Sequence, residues 1–172
     1  MKKTIIIYAS NYGYTKQYAR YLAQKLACEA CEINNFNINL LQNYETIIFG
    51  AGVYAGNINQ ASFINNNQTL LKDKNIVVFS VSLTKPKNAE DKKRIHQVFI
   101  DSFNIDLNIK FFNFLGGITY SKLKPVHANM MQMAQIAVKS KLSPQEYKEY
   151  LQDKNLVDFT KANELVNYVK NL

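Results

Sequence analysis

Residues Ser10-Asn11-Tyr12-Gly13-Tyr14-Thr15 form a short polar stretch directly after the apolar run TIIIYA and directly before a helix-patterned segment. A turn from a buried strand into a helix leaves backbone N–H groups without partners, and the helix dipole adds positive potential at the same point. Such a corner favours an anion. Gly13 permits a turn or a close ligand approach that a side chain would obstruct, and the hydroxyls of Ser10 and Thr15 add donors. Neither G-x-x-x-x-G-K-[ST] nor G-x-G-x-x-G occurs, so the triphosphate and dinucleotide fingerprints are absent. The chemistry implied is the binding of one phosphate monoester bearing a small group; the alternative is plain punctuation between two elements.

Other reactive residue types point elsewhere. Cys28 and Cys31 form C-E-A-C, but zinc would need a second ligand pair, and His96 and His127 are isolated. A redox pair would need a helix N-terminus to lower its thiol pKa, whereas these cysteines fall at the end of the first helix. They read as ordinary half-buried thiols. His127 has no carboxylate near it in sequence and reads as an exposed or packed histidine, not as an acid or base. No residue is assigned to catalysis or to a metal.

The elements that must position the polar turn follow from apolar patterning. Residues 4–9, 46–51, 75–81 and 109–114 are largely continuous apolar runs bounded by polar residues or glycine, as expected of strands covered on both faces. A weaker strand is expected at 29–33. Helices are expected at 14–27, where Ala19, Leu22, Ala23 and Leu26 form one stripe, and at 60–71, 89–103, 126–141, 144–151 and 161–171. Ser143 and Pro144 suit an N-cap and first helical position. Met130, Met131 and Met133 lie near helical spacing and read as core. Strand–helix alternation of this kind predicts an α/β fold, a five-stranded parallel sheet between helix layers with right-handed crossovers, as a single domain over 1–172. With strand order 2-1-3-4-5, ligands bind beyond the carboxyl ends of the strands, beside the opening turn.

Composition narrows the partners. The net charge of +8 is concentrated in residues 81–143, which hold 10 Lys+Arg against 4 Asp+Glu. This excess biases partners toward anionic ones, yet no helix-turn-helix, zinc-finger or RNP-like pattern supports nucleic acid. The opening MKKTIIIYAS reads as a first strand and not as a secretory leader, and no apolar run is long enough to span a bilayer. A cytoplasmic protein is expected, with at most peripheral membrane contact.

The stretch Ser10–Thr15 resembles the phosphate loop of flavodoxins, [ST]-x-T-G-x-T: Ser10, Gly13 and Thr15 fit, while Tyr12 replaces the family's middle small hydroxyl residue. Gly50-Ala51-Gly52-Val53-Tyr54-Ala55-Gly56-Asn57 resembles the family's second flavin loop. The resemblance implies a three-layer flavodoxin-like sandwich and FMN as cofactor. It further implies the phosphate on residues 10–15, Tyr54 against the flavin ring within Val53–Asn57, and Gly56 as the peptide that flips. In Ser80-Val81-Ser82-Leu83-Thr84-Lys85-Pro86 the ring that flavodoxins often supply is missing, leaving the backbone of Ser82, Leu83 and Thr84 to meet the pyrimidine side. Tyr120, in Gly116-Gly117-Ile118-Thr119-Tyr120, is a candidate replacement or else a surface tyrosine.

Over roughly the first 120 residues the chain is most similar to the flavodoxin-domain branch that includes menaquinone-dependent protoporphyrinogen oxidase, where the last helical segment serves substrate access and membrane contact. Three readings follow. The first is an FMN-binding electron-transfer protein with a redox partner protein, acidic if the lysines guide it. The second is an FMN-dependent oxidoreductase acting on a quinone, porphyrinogen or other tetrapyrrole, with Lys85, Lys87, Lys122 and Lys124 rimming the flavin. The third is a flavin-free interaction module.

Overall fold

A computed structural model describes residues 3–103 and 105–172. Strand β1 (Thr4–Ala9) lies between β2 (Glu29–Glu32) and β3 (Thr46–Tyr54), and β3 carries the two-residue hairpin partner β4 (Asn57–Ile58). Strands β5 (Asn75–Ser82) and β6 (Ile109–Leu115) complete a sheet of order β2-β1-β3-β5-β6, parallel throughout except for the β3–β4 hairpin. With β4 set aside, this is the expected 2-1-3-4-5 order.

Both faces of the sheet are buried because the apolar runs do not alternate with polar residues. Ile5, Ile7, Ile47, Phe49 and Val78 enter one core with Ile64, Leu71 and Phe103. Ile6, Tyr8, Ile48, Val77 and Phe79 enter the other, with Tyr18, Leu22, Leu165 and Val166. The first core is covered by α2 (Ser62–Asn65), α3 (Gln68–Leu71) and α4 (Ala89–Ser102), and the second by α1 (Tyr14–Leu26) and α7 (Ala162–Lys170). This is the three-layer arrangement.

The single helix expected over 60–71 is instead α2 and α3. Gln60 takes a left-handed φ of 56°, and Asn67 Nδ2 donates to the Phe63 carbonyl at 2.7 Å, so asparagine side chains take over backbone groups between the two pieces. The second strong strand extends beyond residue 51 to Tyr54. Its hairpin turns through Ala55 (φ 48°) and Gly56 (φ 77°), the paired positive φ values of a tight two-residue turn.

Beyond β6 the chain makes an excursion. It leaves through β7 (Gly117–Ile118), runs through a turn at Tyr120–Lys122, α5 (Pro125–Lys139) and α6 (Pro144–Tyr150), and returns as β8 (Lys154–Asn155), antiparallel to β7. The expected cap of α6 is present as a full capping box between Ser143 and Glu146. The residues of α5 read as core are not core: no residue of α5 is buried, and Met133 is 72% exposed. This helix packs over the end of the sheet, not over a face. Fully buried Tyr18 ties the excursion's base to α1: its hydroxyl donates to the Leu115 carbonyl (2.7 Å) and accepts the Asp158 N–H (2.9 Å).

Candidate functional site

At the carboxyl ends of β1, β3 and β5 lies a cleft of about 730 Å³, part of it open to solvent. One end is the turn into α1. Gly13 is its N-cap residue with φ 89°, and a Cβ there would meet nothing within 4 Å, so the glycine is required by backbone conformation and not by crowding. The N-cap residue has no side chain to offer and no acid lies in the first turn. The N–H groups of Tyr14 and Thr15 therefore face outward at the positive end of the helix with no intrahelical acceptor in reach. Ser10 Oγ accepts the N–H of Gly13 (3.1 Å) and of Lys16 (3.3 Å), which leaves its own proton for a ligand.

Of the residues singled out from sequence, Ser10, Tyr12, Tyr14 and Thr15 line the cleft from this turn. Val53, Tyr54 and Ala55 line it from the β3–β4 hairpin, and Ser82 and Leu83 from the end of β5. Asn11, Gly13, Gly56, Asn57 and Thr84 sit in the same loops without lining it. Tyr120 is brought elsewhere: its hydroxyl donates to the Tyr150 carbonyl (2.9 Å) and its N–H to Asp153 (2.8 Å), fastening α6.

The far wall comes from residues that sequence reasoning did not place there. Gly116, Gly117 and Ile118 supply its base, and Leu123, His127, Met130 and Met131 come from the excursion. His127 stacks on Tyr54 with ring centroids 4.6 Å apart and planes 6° from parallel, and its Nδ1 is hydrogen-bonded to the Tyr12 hydroxyl. The same hydroxyl accepts the Lys124 N–H (3.1 Å), and Lys124 Nζ donates to Asn11 Oδ1 (3.0 Å). The start of α5 is thus latched to the opening turn across more than a hundred residues of sequence. Tyr12, which breaks the phosphate-loop pattern, is one of the latch partners.

Burial pushes the Tyr54 phenol above its ordinary pKa, partly offset by the Asn11 side chain beside it, so Tyr54 is neutral at working pH. No acidic residue lines the cleft. Of the lysines expected at the rim, Lys124 reaches the turn, whereas Lys85 lines a separate surface groove with Lys92 and Lys161. The cysteines are not activated: burial, then Glu29, pushes the Cys28 thiol up to about 11, and the Cys31 thiol is raised for the same reasons. Among the described residues no group of His, Cys, Asp or Glu side chains could hold a metal ion, and no helix is long and apolar enough to cross a membrane.

Comparison with known proteins gives a family match. A family model described as "Flavodoxin domain" matches residues 5–143. No curated protein matches. Among solved structures, the chain is similar to a flavodoxin, WrbA-like protein from Agrobacterium tumefaciens, at 18% identity and TM-score 0.49, covering 81% of this chain and 99% of that one. It is also similar to the flavodoxin of Megasphaera elsdenii, at 14% identity and TM-score 0.48 (65% and 85% covered). A third is a flavoprotein from Lactobacillus acidophilus NCFM, solved with FMN, at 16% identity and TM-score 0.45 (67% and 93% covered).

The residues present fit the group such a fold implies. An FMN phosphate placed here would meet free first-turn amides, a donor hydroxyl at Ser10 and no carboxylate, and the cleft beyond is walled by tyrosine rings and apolar side chains. The matched span runs from β1 through α5 and includes every loop of this cleft: the chain belongs to the flavodoxin domain family.

Proposed function

We propose that the protein binds FMN in this cleft and passes electrons between redox partners. The observation that supports the reading is the anion cradle at the start of α1 opening directly into the ring-walled cleft. FMN supplies the electron-transfer chemistry when bound. The chain's own residues bind and orient it. Ser10 and the amides of Tyr14 and Thr15 hold the phosphate, Tyr54 offers a neutral ring face, and the ends of β3 and β5 shield the ring from water.

The experiment is a titration of flavin-free protein with FMN and with riboflavin, read by quenching of flavin fluorescence. Two or more charge-assisted hydrogen bonds to the phosphate make FMN bind about 100-fold or more tighter than riboflavin. Equal affinities, or none for FMN, would contradict the assignment.

A second reading has its own support. Leu123, Met130 and Met131 make the far wall of the cleft apolar, and Lys124 reaches across to the opening turn beside it. This suits an FMN-dependent oxidoreductase whose acceptor is a quinone, porphyrinogen or other tetrapyrrole, or a carrier whose partner protein is acidic. With a carboxylate-bearing acceptor, kcat/KM falls several-fold between about 0.01 and 0.15 M salt, as the Debye length shrinks from roughly 30 to 8 Å. Turnover indifferent to salt sets the basic rim aside.

A further inference from the structure

We infer that His127 supplies the second aromatic face of the flavin site, so that the planar ring is held between Tyr54 and the imidazole; this rests on the FMN reading of the cleft. Planar ligands gain from two parallel faces, because each side of the ring then loses its water and gains close contacts. The third loop provides no ring: Ser82 and Leu83 are its contribution to the lining, and Tyr120 is fastened to α6. His127 and Tyr54 are already parallel to within 6° inside the cleft.

The imidazole is held at that tilt. Tyr12 bonds its Nδ1 and sits edge-on to both rings, at 63° to His127 and 69° to Tyr54. Tyr12 is in turn fixed by the Lys124 N–H. An unoriented histidine on a helix surface would present its edge as often as its face; this one presents its face.

The separation must widen for a third ring to enter. Contact on each side needs about 3.5 Å, roughly 7 Å in all, against the present 4.6 Å. The element that carries His127 can yield that distance at low cost. No residue of α5 is buried, so its first turn moves without opening either core. What ties that turn down is the set of polar contacts among Lys124, Asn11, Tyr12 and His127. The two Lys124 bonds are exposed and the Tyr12–His127 bond only half-buried, so they exchange with water, and a segment held this way lies at the low end of local stability. The simpler possibility, that the stacked pair only seats α5 on the hairpin, predicts no effect of His127 on flavin affinity.

The test uses the full chain with FMN and riboflavin as probes, titrated by fluorescence quenching on the wild type, His127→Ala and His127→Phe, with far-UV circular dichroism to verify folding. Losing a ring face weakens both flavins by about tenfold in His127→Ala, because the face touches the ring and not the phosphate. His127→Phe keeps the face, loses the bond to Tyr12, and stays within about threefold of wild type. The inference is overturned if His127→Ala titrates like wild type, if only FMN weakens (an effect through the phosphate turn), or if Phe fails to restore what Ala loses. Should wild type itself not bind FMN, it is the reading of the cleft that fails, separately from the role of His127.

Discussion

Replacing Ser10 with aspartate lowers FMN affinity by about 1,000-fold while leaving riboflavin binding close to wild type. The carboxylate keeps an acceptor for the Gly13 and Lys16 amides that Ser10 Oγ now receives, so the turn retains its local bonds. It also places a negative charge at the start of α1, which the helix dipole tolerates and which no first-turn acid already occupies. The fold is therefore preserved or slightly stabilised. The FMN phosphate, however, now meets a like charge at roughly 4 Å. At an effective dielectric near 20 that costs about 4 kcal/mol per pair of unit charges, equivalent to about three orders of magnitude in Kd. Riboflavin carries no phosphate and serves as the internal control. Parallel fluorescence titrations with the two flavins decide the matter: if the aspartate variant takes up FMN as wild type does, the phosphate is not at this turn.

The largest effect on stability belongs to Gly50. It lies in mid-β3, paired in register with Phe79 of β5, and the Phe79 ring covers its α-carbon. A Cβ at that position would stand 2.0 Å from Cζ and 2.4 Å from Cε1 of Phe79. The ring has nowhere to go: Phe79 is fully buried against Phe114, which is itself stacked on Tyr18 at 4.8 Å. Overpacking in a dense core without a route for relaxation costs about 3 kcal/mol or more, a large part of the 5–15 kcal/mol typical of a whole domain. Urea denaturation of Gly50→Ala shows the shifted midpoint. Adding Phe79→Leu, which removes the ring edge, recovers part of the loss, and that non-additivity separates a specific clash from a general dislike of alanine in the strand. A Gly50→Ala chain with an unchanged midpoint contradicts the close packing described.

Gly50 also shows what the sequence hides. The strand expected over 46–51 already takes in Gly50, but nothing in the string G-A-G-V-Y-A-G marks that Phe79 roofs its α-carbon, nor that the strand runs on through Gly52 to Tyr54 with the turn made by Ala55 and Gly56. Residue type signals permission for unusual geometry, not which use is made of it. Local signals served well where local physics governs. The four strong strands begin at the expected residues because continuous apolar runs are bounded by polar ones, and the α6 cap is written in Ser143, Pro144 and Glu146 within four positions.

The turn into α1 was legible for the same reason: its parts are consecutive. The far wall was not. Tyr12 and His127 meet across 115 positions of chain, and no spacing rule connects residues that only the excursion's return brings together. The methionines were misread because helical periodicity reports a shared face without saying what that face covers; here Met130 and Met131 face the cleft, and Met133 faces solvent.

The two-rung pairing of β7 with β8 carries a consequence for how such a molecule changes over generations. The chain departs at Ile118 and comes back at Lys154, its direct partner in the ladder, so the exit and re-entry points are about 5 Å apart, the spacing of paired strands. Everything between them can lengthen, shorten or be exchanged while its endpoints stay where they are, and neither apolar layer beneath the sheet has to adjust. Natural selection is thereby given an interchangeable visor: one wall of the cleft can be reshaped by rewriting some thirty-five residues, with the strands and turns of the chassis beneath inherited intact.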